Sequence, residues 1–162
     1  MQNKKIKERE FKLLPNSGIL SAPVYKGGEQ PDLSKHKIIK LNSNESIEFS
    51  VLIAESNKDR RQGLMHIEFM EENQGMLFVF NPPRRVSMWM RNTPMSLDIL
   101  FIDRNGKVIN MEDNTTPYST KALSSGRTIR WVLEINGGLA KTTGIKTGDL
   151  VLLDSTKGRG EE

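Results

Sequence analysis

Between residues 88 and 93 the chain reads Met88-Trp-Met-Arg-Asn-Thr93, which gathers an aromatic ring, a guanidinium and a side-chain amide on one short segment. If the segment is extended, Trp89 and Arg91 share one face while Met88, Met90 and Asn92 share the other. A ring and a guanidinium side by side can stack on a planar ligand or a sugar. The plainer reading puts Trp89 in the core and gives Asn92 and Thr93 to the turn before Pro94, and that is the expectation. Asp98 stands inside the apolar run Leu97-Asp-Ile-Leu-Phe-Ile102, an unusual place for a carboxylate. Facing inward it needs a partner, either Arg61 or Arg91 in an ion pair or a set of backbone N–H groups. A structural role is expected, since neither a second acid nor a well-placed histidine stands beside it. Glu134 lies in Thr128-Ile-Arg-Trp-Val-Leu-Glu-Ile135, and Asp149 follows Gly148 in a turn. With Asp98 they have the residue types of a two-carboxylate hydrolase, which requires a particular separation in space. Alternation sets Glu134 opposite Leu133 and Ile135, which reads as a solvated side chain, and Asp149 reads as a turn-forming carboxylate.

Composition removes other chemistry. The chain has 0 cysteines, so thiol catalysis, disulfides, zinc ribbons and iron–sulfur clusters drop out together. Its 2 histidines, His36 and His66, are too far apart in sequence for a local metal pair. No glycine-rich phosphate loop with its Lys-Ser/Thr occurs. No catalytic residue, metal or cofactor is assigned, and the 8 methionines are expected to fill core gaps.

The elements that must position these side chains are short strands. Ser46 to Ile53 alternates polar and apolar residues. Ser56-Asn-Lys-Asp59 has the form of a capping box and opens a short helix to about Leu64. Gly75-Met-Leu-Phe-Val-Phe80 is an apolar run of strand length, closed by Asn81-Pro82-Pro83, and Val86 to Met90 forms the next strand. Asn105-Gly106 supplies the positive φ angles of a tight hairpin between 97–102 and 107–111. Thr128 to Ile135 is a strand, Leu139 to Thr143 a short helix, and Leu150 to Asp154 the last strand. About seven short strands with one or two short helices predict an all-β barrel or sandwich over residues 46–154, with a polar tail at 155–162.

Residues 1–45 behave differently. Pro15, Pro23 and Pro31, with Gly18, Gly27 and Gly28, oppose both a long helix and a central strand. Of the net charge of +4, residues 1–40 carry +5 and the rest of the chain −1. The segment therefore reads as an extended basic arm whose anchors are Lys4, Lys5, Lys7, Phe11, Leu14, Ile19 and Tyr25. No signal-peptide core and no membrane-spanning run is visible, so the product is expected in the cytoplasm where it is made.

Five ordered blocks resemble the DUF192 family: Arg61-Gln-Gly-Leu-Met65, Gly75 to Phe80, Met88 to Thr93 with Leu97-Asp98, Val132-Leu-Glu-Ile-Asn-Gly137, and Gly144-Ile145 with Gly148-Asp149. The resemblance spans about residues 46–154 and implies a small β-barrel-like fold without implying a reaction. The basic arm departs from the family pattern, as do His66 and Ser87, where a basic and an aromatic residue are more usual. Together these features lead to the expectation of a non-enzymatic module whose arm docks onto protein subunits of a larger assembly, a phage head decoration or tail component being the plain example. Nucleic acid is a less favoured partner of the arm, and no membrane partner is expected. The alternatives are a saccharide or small-molecule site formed by Arg61, Trp89, Arg91, Asn92, Asp98 and Glu134, or a hydrolase using paired carboxylates.

Overall fold

Strand β5 (Gln74–Arg84) and strand β7 (Leu97–Ile102) flank β10 (Ile129–Asn136), and these three form the middle of the fold. They belong to a computed structural model that describes residues 24–25, 36–42 and 46–153. The seven-stranded sheet runs β11 (Leu150–Leu153), β2 (His36–Asn42), β3 (Ser46–Ala54), β5, β10, β7, β8 (Val108–Glu112). Neighbours are antiparallel except β3 and β5, which are parallel and joined through helix α1 (Asn57–Gln62) and strand β4 (Ile67–Phe69). The sheet closes on itself. Val108 N–H donates to Asp149 O at 2.9 Å, Gly148 N–H to Val108 O at 2.8 Å, and Val151 N–H to Gly106 O at 2.7 Å. These bonds join the two edge strands, so the barrel leaves little open edge there. Two ribbons complete the architecture, β1 (Val24–Tyr25) on β4 and β6 (Ser87–Met88) on β9 (Leu123–Ser124). With α2 (Leu139–Thr143) the fold is all-β with two short helices. None of the described helices is long and apolar enough to cross a membrane.

Two apolar layers hold the barrel. Every strand of the large sheet sends a residue into the first, among them Ile39, Phe49, Leu77, Leu133, Leu100, Val108 and Val151. The second lies on the other face of β5, β10 and β7, where Met76, Phe78, Val132, Ile99 and Phe101 meet Leu64, Ile67, Met70 and Met90 from the α1–β4 segment and the loop after β6. All six residues of β7 are buried, as expected for a strand covered on both faces. Each large apolar side chain of the two layers contributes about 1.5–3 kcal/mol on burial.

Several expectations change. The sheet begins at His36, not Ser46, because β2 pairs along its length with β3 and also carries β11. Strand β5 runs through Pro82 and Pro83 to Arg84. The prolines fit because the register against β10 jumps from Trp131↔Val79 to Ile129↔Arg84, and residues within such a bulge need no ladder N–H. The strand expected over Val86–Met90 shortens to Ser87–Met88. In the β7–β8 hairpin only Gly106 has positive φ, +84°. Asp103 closes the turn instead, its carboxylate accepting from Asn105 N–H at 2.9 Å and Lys107 N–H at 3.0 Å. Of the arm anchors, Lys4, Lys5, Lys7, Phe11, Leu14 and Ile19 lie outside the described residues, as does the tail at 155–162. Tyr25 is described in its backbone, which pairs with Ile67.

Candidate functional site

A cleft of about 280 Å³ opens between α1, the outer face of β5 and β10, and the loop after β6. Its first wall depends on how α1 starts and stops. Ser56 Oγ caps the helix by accepting from Asp59 N–H at 3.0 Å, as the capping pattern predicts. Gly63 ends it at φ +48°, and a Cβ there would stand 3.2 Å from the Phe78 ring. Arg60 staples the helix to β5: its guanidinium donates to the Glu55 carbonyl, to Val79 O at 2.9 Å and to Asn57 Oδ1 at 2.6 Å, and lies 5.4 Å from the centre of the Phe80 ring. Arg61 makes a single long bond, Nε to Asn57 O at 3.4 Å, and is exposed.

The opposite wall is the Trp89–Thr93 loop. Buried Met90 anchors it, its N–H donating to Ser119 O at 2.9 Å. His66 N–H donates to Asn92 O at 2.7 Å, tying the loop to the chain after α1. Asn92 turns the chain at φ +53°, and Thr93 Oγ1 donates to Arg91 O at 3.1 Å. The expected turn role of both residues thus holds. Trp89 is not core, however: it is 46% exposed, and the Arg91 guanidinium lies 5.3 Å from its ring centre. That contact keeps the indole face at the cleft mouth.

Of the predicted site residues that line the cleft, Glu134 is the most buried and departs furthest from expectation. It is 4% exposed, between Met76 on β5 and Ile99 on β7. Alternation did place it opposite Leu133 and Ile135, but that outer face is covered by the second apolar layer. No donor among the described residues reaches its carboxyl, yet no buried side-chain oxygen among them is both sealed and unpartnered. The carboxyl therefore opens on the cleft that it lines. Burial pushes its pKa from 4.5 up to about 8, so it is protonated at neutral pH.

The cleft thus brings together Arg61, Trp89, Arg91 and Glu134, while Asn92 positions the loop. Asp98 is elsewhere. It is buried, with Oδ1 accepting from Asn114 N–H at 2.7 Å and Gly138 N–H at 2.9 Å, and Oδ2 from Ala140 N–H at 2.7 Å. It caps α2 from a distant strand, and no arginine pairs with it among the described residues. Asp149 closes a turn by accepting from Lys146 N–H at 2.9 Å. One carboxyl, Glu134, lines the cleft, so the paired-carboxylate arrangement is not assembled there. Among the described residues no group of three histidine or acidic side chains gathers as a metal site would require. The sequence reading missed Arg60, Met65, Phe78 and Phe80 as lining residues. A signal for the two phenylalanines existed, since residues 78 and 80 share one face of β5.

The DUF192 family model, described as an uncharacterized ACR, matches residues 38–153. A Sinorhizobium meliloti crystal structure, provisionally named a transcription regulator, is similar at 33% identity and TM-score 0.74, over 78% of this chain and 98% of that one. A protein of unknown function from Novosphingobium aromaticivorans is similar at 32% identity and TM-score 0.72, over 82% of this chain and 94% of that one. No curated protein matches this chain.

Proposed function

The chain belongs to the DUF192 family, whose description names no activity, and we propose from the cleft that the domain binds a small organic anion with a planar body. The observation that carries this reading is the pairing of two exposed guanidinia with an apolar wall. Neither Arg61 nor Arg91 has a carboxylate partner among the described residues, and both line the cleft that Phe78 and Phe80 wall. A half-exposed tryptophan beside them offers a stacking surface. The volume lies just below the roughly 300–1,000 Å³ of pockets for drug-sized ligands, so the occupant is small. A protonated Glu134 adds no negative charge to repel it.

Calorimetric titration with para-methylbenzoate and with its neutral counterpart para-methylbenzyl alcohol tests the proposal. The anion should bind and the alcohol should not, and Arg91→Ala and Trp89→Ala should each weaken the anion about tenfold or more. Equal binding of the two probes, or indifference to Arg91→Ala, would overturn it.

The charge of residues 1–40 supports a second reading, in which the arm joins the domain to protein subunits of a larger assembly such as a phage virion. Nucleic acid is the less favoured partner of the same arm. Removing residues 1–23, which precede β1, should abolish co-purification of a partner under this reading. Association that collapses steeply with salt would point to phosphate contacts.

A further inference from the structure

The proposed anion site has two poles, and we infer that its ligand is dipolar, with an amine that pairs with Glu134 at the floor while its anionic end meets Arg61 and Arg91 at the rim. This rests on the anion reading and specifies the ligand class. Glu134 is 4% exposed, has no partner among the described residues and opens on the cleft. A carboxyl that is almost wholly buried yet open to a cleft is poorly solvated, so a ligand group that pairs with it gains more than the same contact would in water. The charged groups that face it across the cleft are Arg60 and Arg61 from α1 and Arg91 from the loop after β6. None of these guanidinia forms an ion pair with Glu134, and Arg60 is already committed to Glu55, Val79 and Asn57. Its strand neighbours Met76 and Ile99 are apolar.

None of these guanidinia comes within ion-pair reach of Glu134, so the rim and the floor offer distinct polar groups to a ligand. A purely anionic ligand can take no more than a hydrogen bond from the neutral Glu134 carboxyl, and a purely cationic one meets the guanidinia at the rim. An apolar ring between the two charged ends would lie along Phe78 and Phe80. The ligand keeps its ammonium proton, and the Glu134 carboxyl gives its own proton to solvent as the ion pair forms. Because the free protein holds that proton at neutral pH, close to one proton is released per ligand bound.

The experiment is calorimetry at neutral pH in buffers of different ionisation enthalpy, with para-aminomethylbenzoate and para-methylbenzoate as probes. The dipolar probe should bind about tenfold or more tighter and release close to one proton, while para-methylbenzoate releases none. Glu134→Gln should remove both the proton release and the preference for the dipolar probe. Because the native carboxyl is already neutral when folded, that variant keeps the shape and charge of the site. Equal affinity for the two probes without proton release would overturn the dipolar assignment and leave the anion site standing. Failure of both probes to bind would remove the anion site and this inference with it.

Discussion

Replacing Glu134 with glutamine should remove a pH dependence of stability that the native protein carries. The folded carboxyl titrates near 8, against 4.5 in the absence of burial. Between those values the folded protein holds a proton that the unfolded chain has lost. Stability must therefore fall as pH rises through the window, and level off above the folded value. Each pH step within the window costs about 1.4 kcal/mol, so integrating from about pH 5 to about pH 9 gives a loss on the order of 4 kcal/mol from this one group. That is a large part of the roughly 5–15 kcal/mol that holds an ordinary domain together. Glutamine has the same shape and does not titrate. Urea unfolding of both proteins across this pH range gives two curves, and their difference cancels the contribution of every other acid. The two should be nearly equal in stability at about pH 5, with the variant the more stable by several kcal/mol at about pH 9. Parallel curves would refute the reasoning, because they would mean that Glu134 titrates alike in the folded and unfolded states.

Other perturbations should separate scaffold from cleft. Asp98→Asn turns an acceptor of three backbone N–H bonds into a group that must point a donor at one of them, and should cost about 2–4 kcal/mol in urea unfolding. Gly63→Ala requires a side chain at φ +48° and ψ −133°, and should cost about 1–3 kcal/mol while also shifting the resonances of the Phe78 ring. Ser56→Ala removes the α1 cap and should lose about 1 kcal/mol. Trp89→Ala should leave unfolding stability within about 0.5 kcal/mol, because the ring is 46% exposed.

The elements of the barrel were legible because local signals marked them. The Ser56 cap, the run over residues 75–80, the apolar strand with Asp98 inside it and Leu139–Thr143 all stand where their patterns place them. His36–Asn42 was hidden because it follows a Pro/Gly-rich stretch and is recognisable as a strand through its partners β3 and β11. The site was half legible. Arg61, Trp89, Arg91 and Glu134 were named from their types, and they do share one cleft. What sequence withheld was facing. The sequence pattern reads Trp89 as core and Glu134 as solvent-facing, and the structure reverses the two. For Glu134 the reason is pairing order: β10 comes late in the chain but inserts between β5 and β7, whose apolar runs are covered on both faces. Period-2 alternation separates two faces and does not say which of them meets water. Asp98 accepts from backbone N–H groups, one of the partnerings its place in an apolar strand suggests, and Gly138 and Ala140 lie too far along the chain for spacing to disclose.

The central claim, that the cleft between α1 and the Trp89–Thr93 loop is a ligand site, is tested most directly by backbone NMR during a millimolar titration with para-methylbenzoate. Saturable shifts are expected at Gly63, Met65, Trp89, Arg91 and Glu134, with the β8 and β11 edge unmoved. Shifts spread over the surface without saturation, or centred away from these residues, would contradict it.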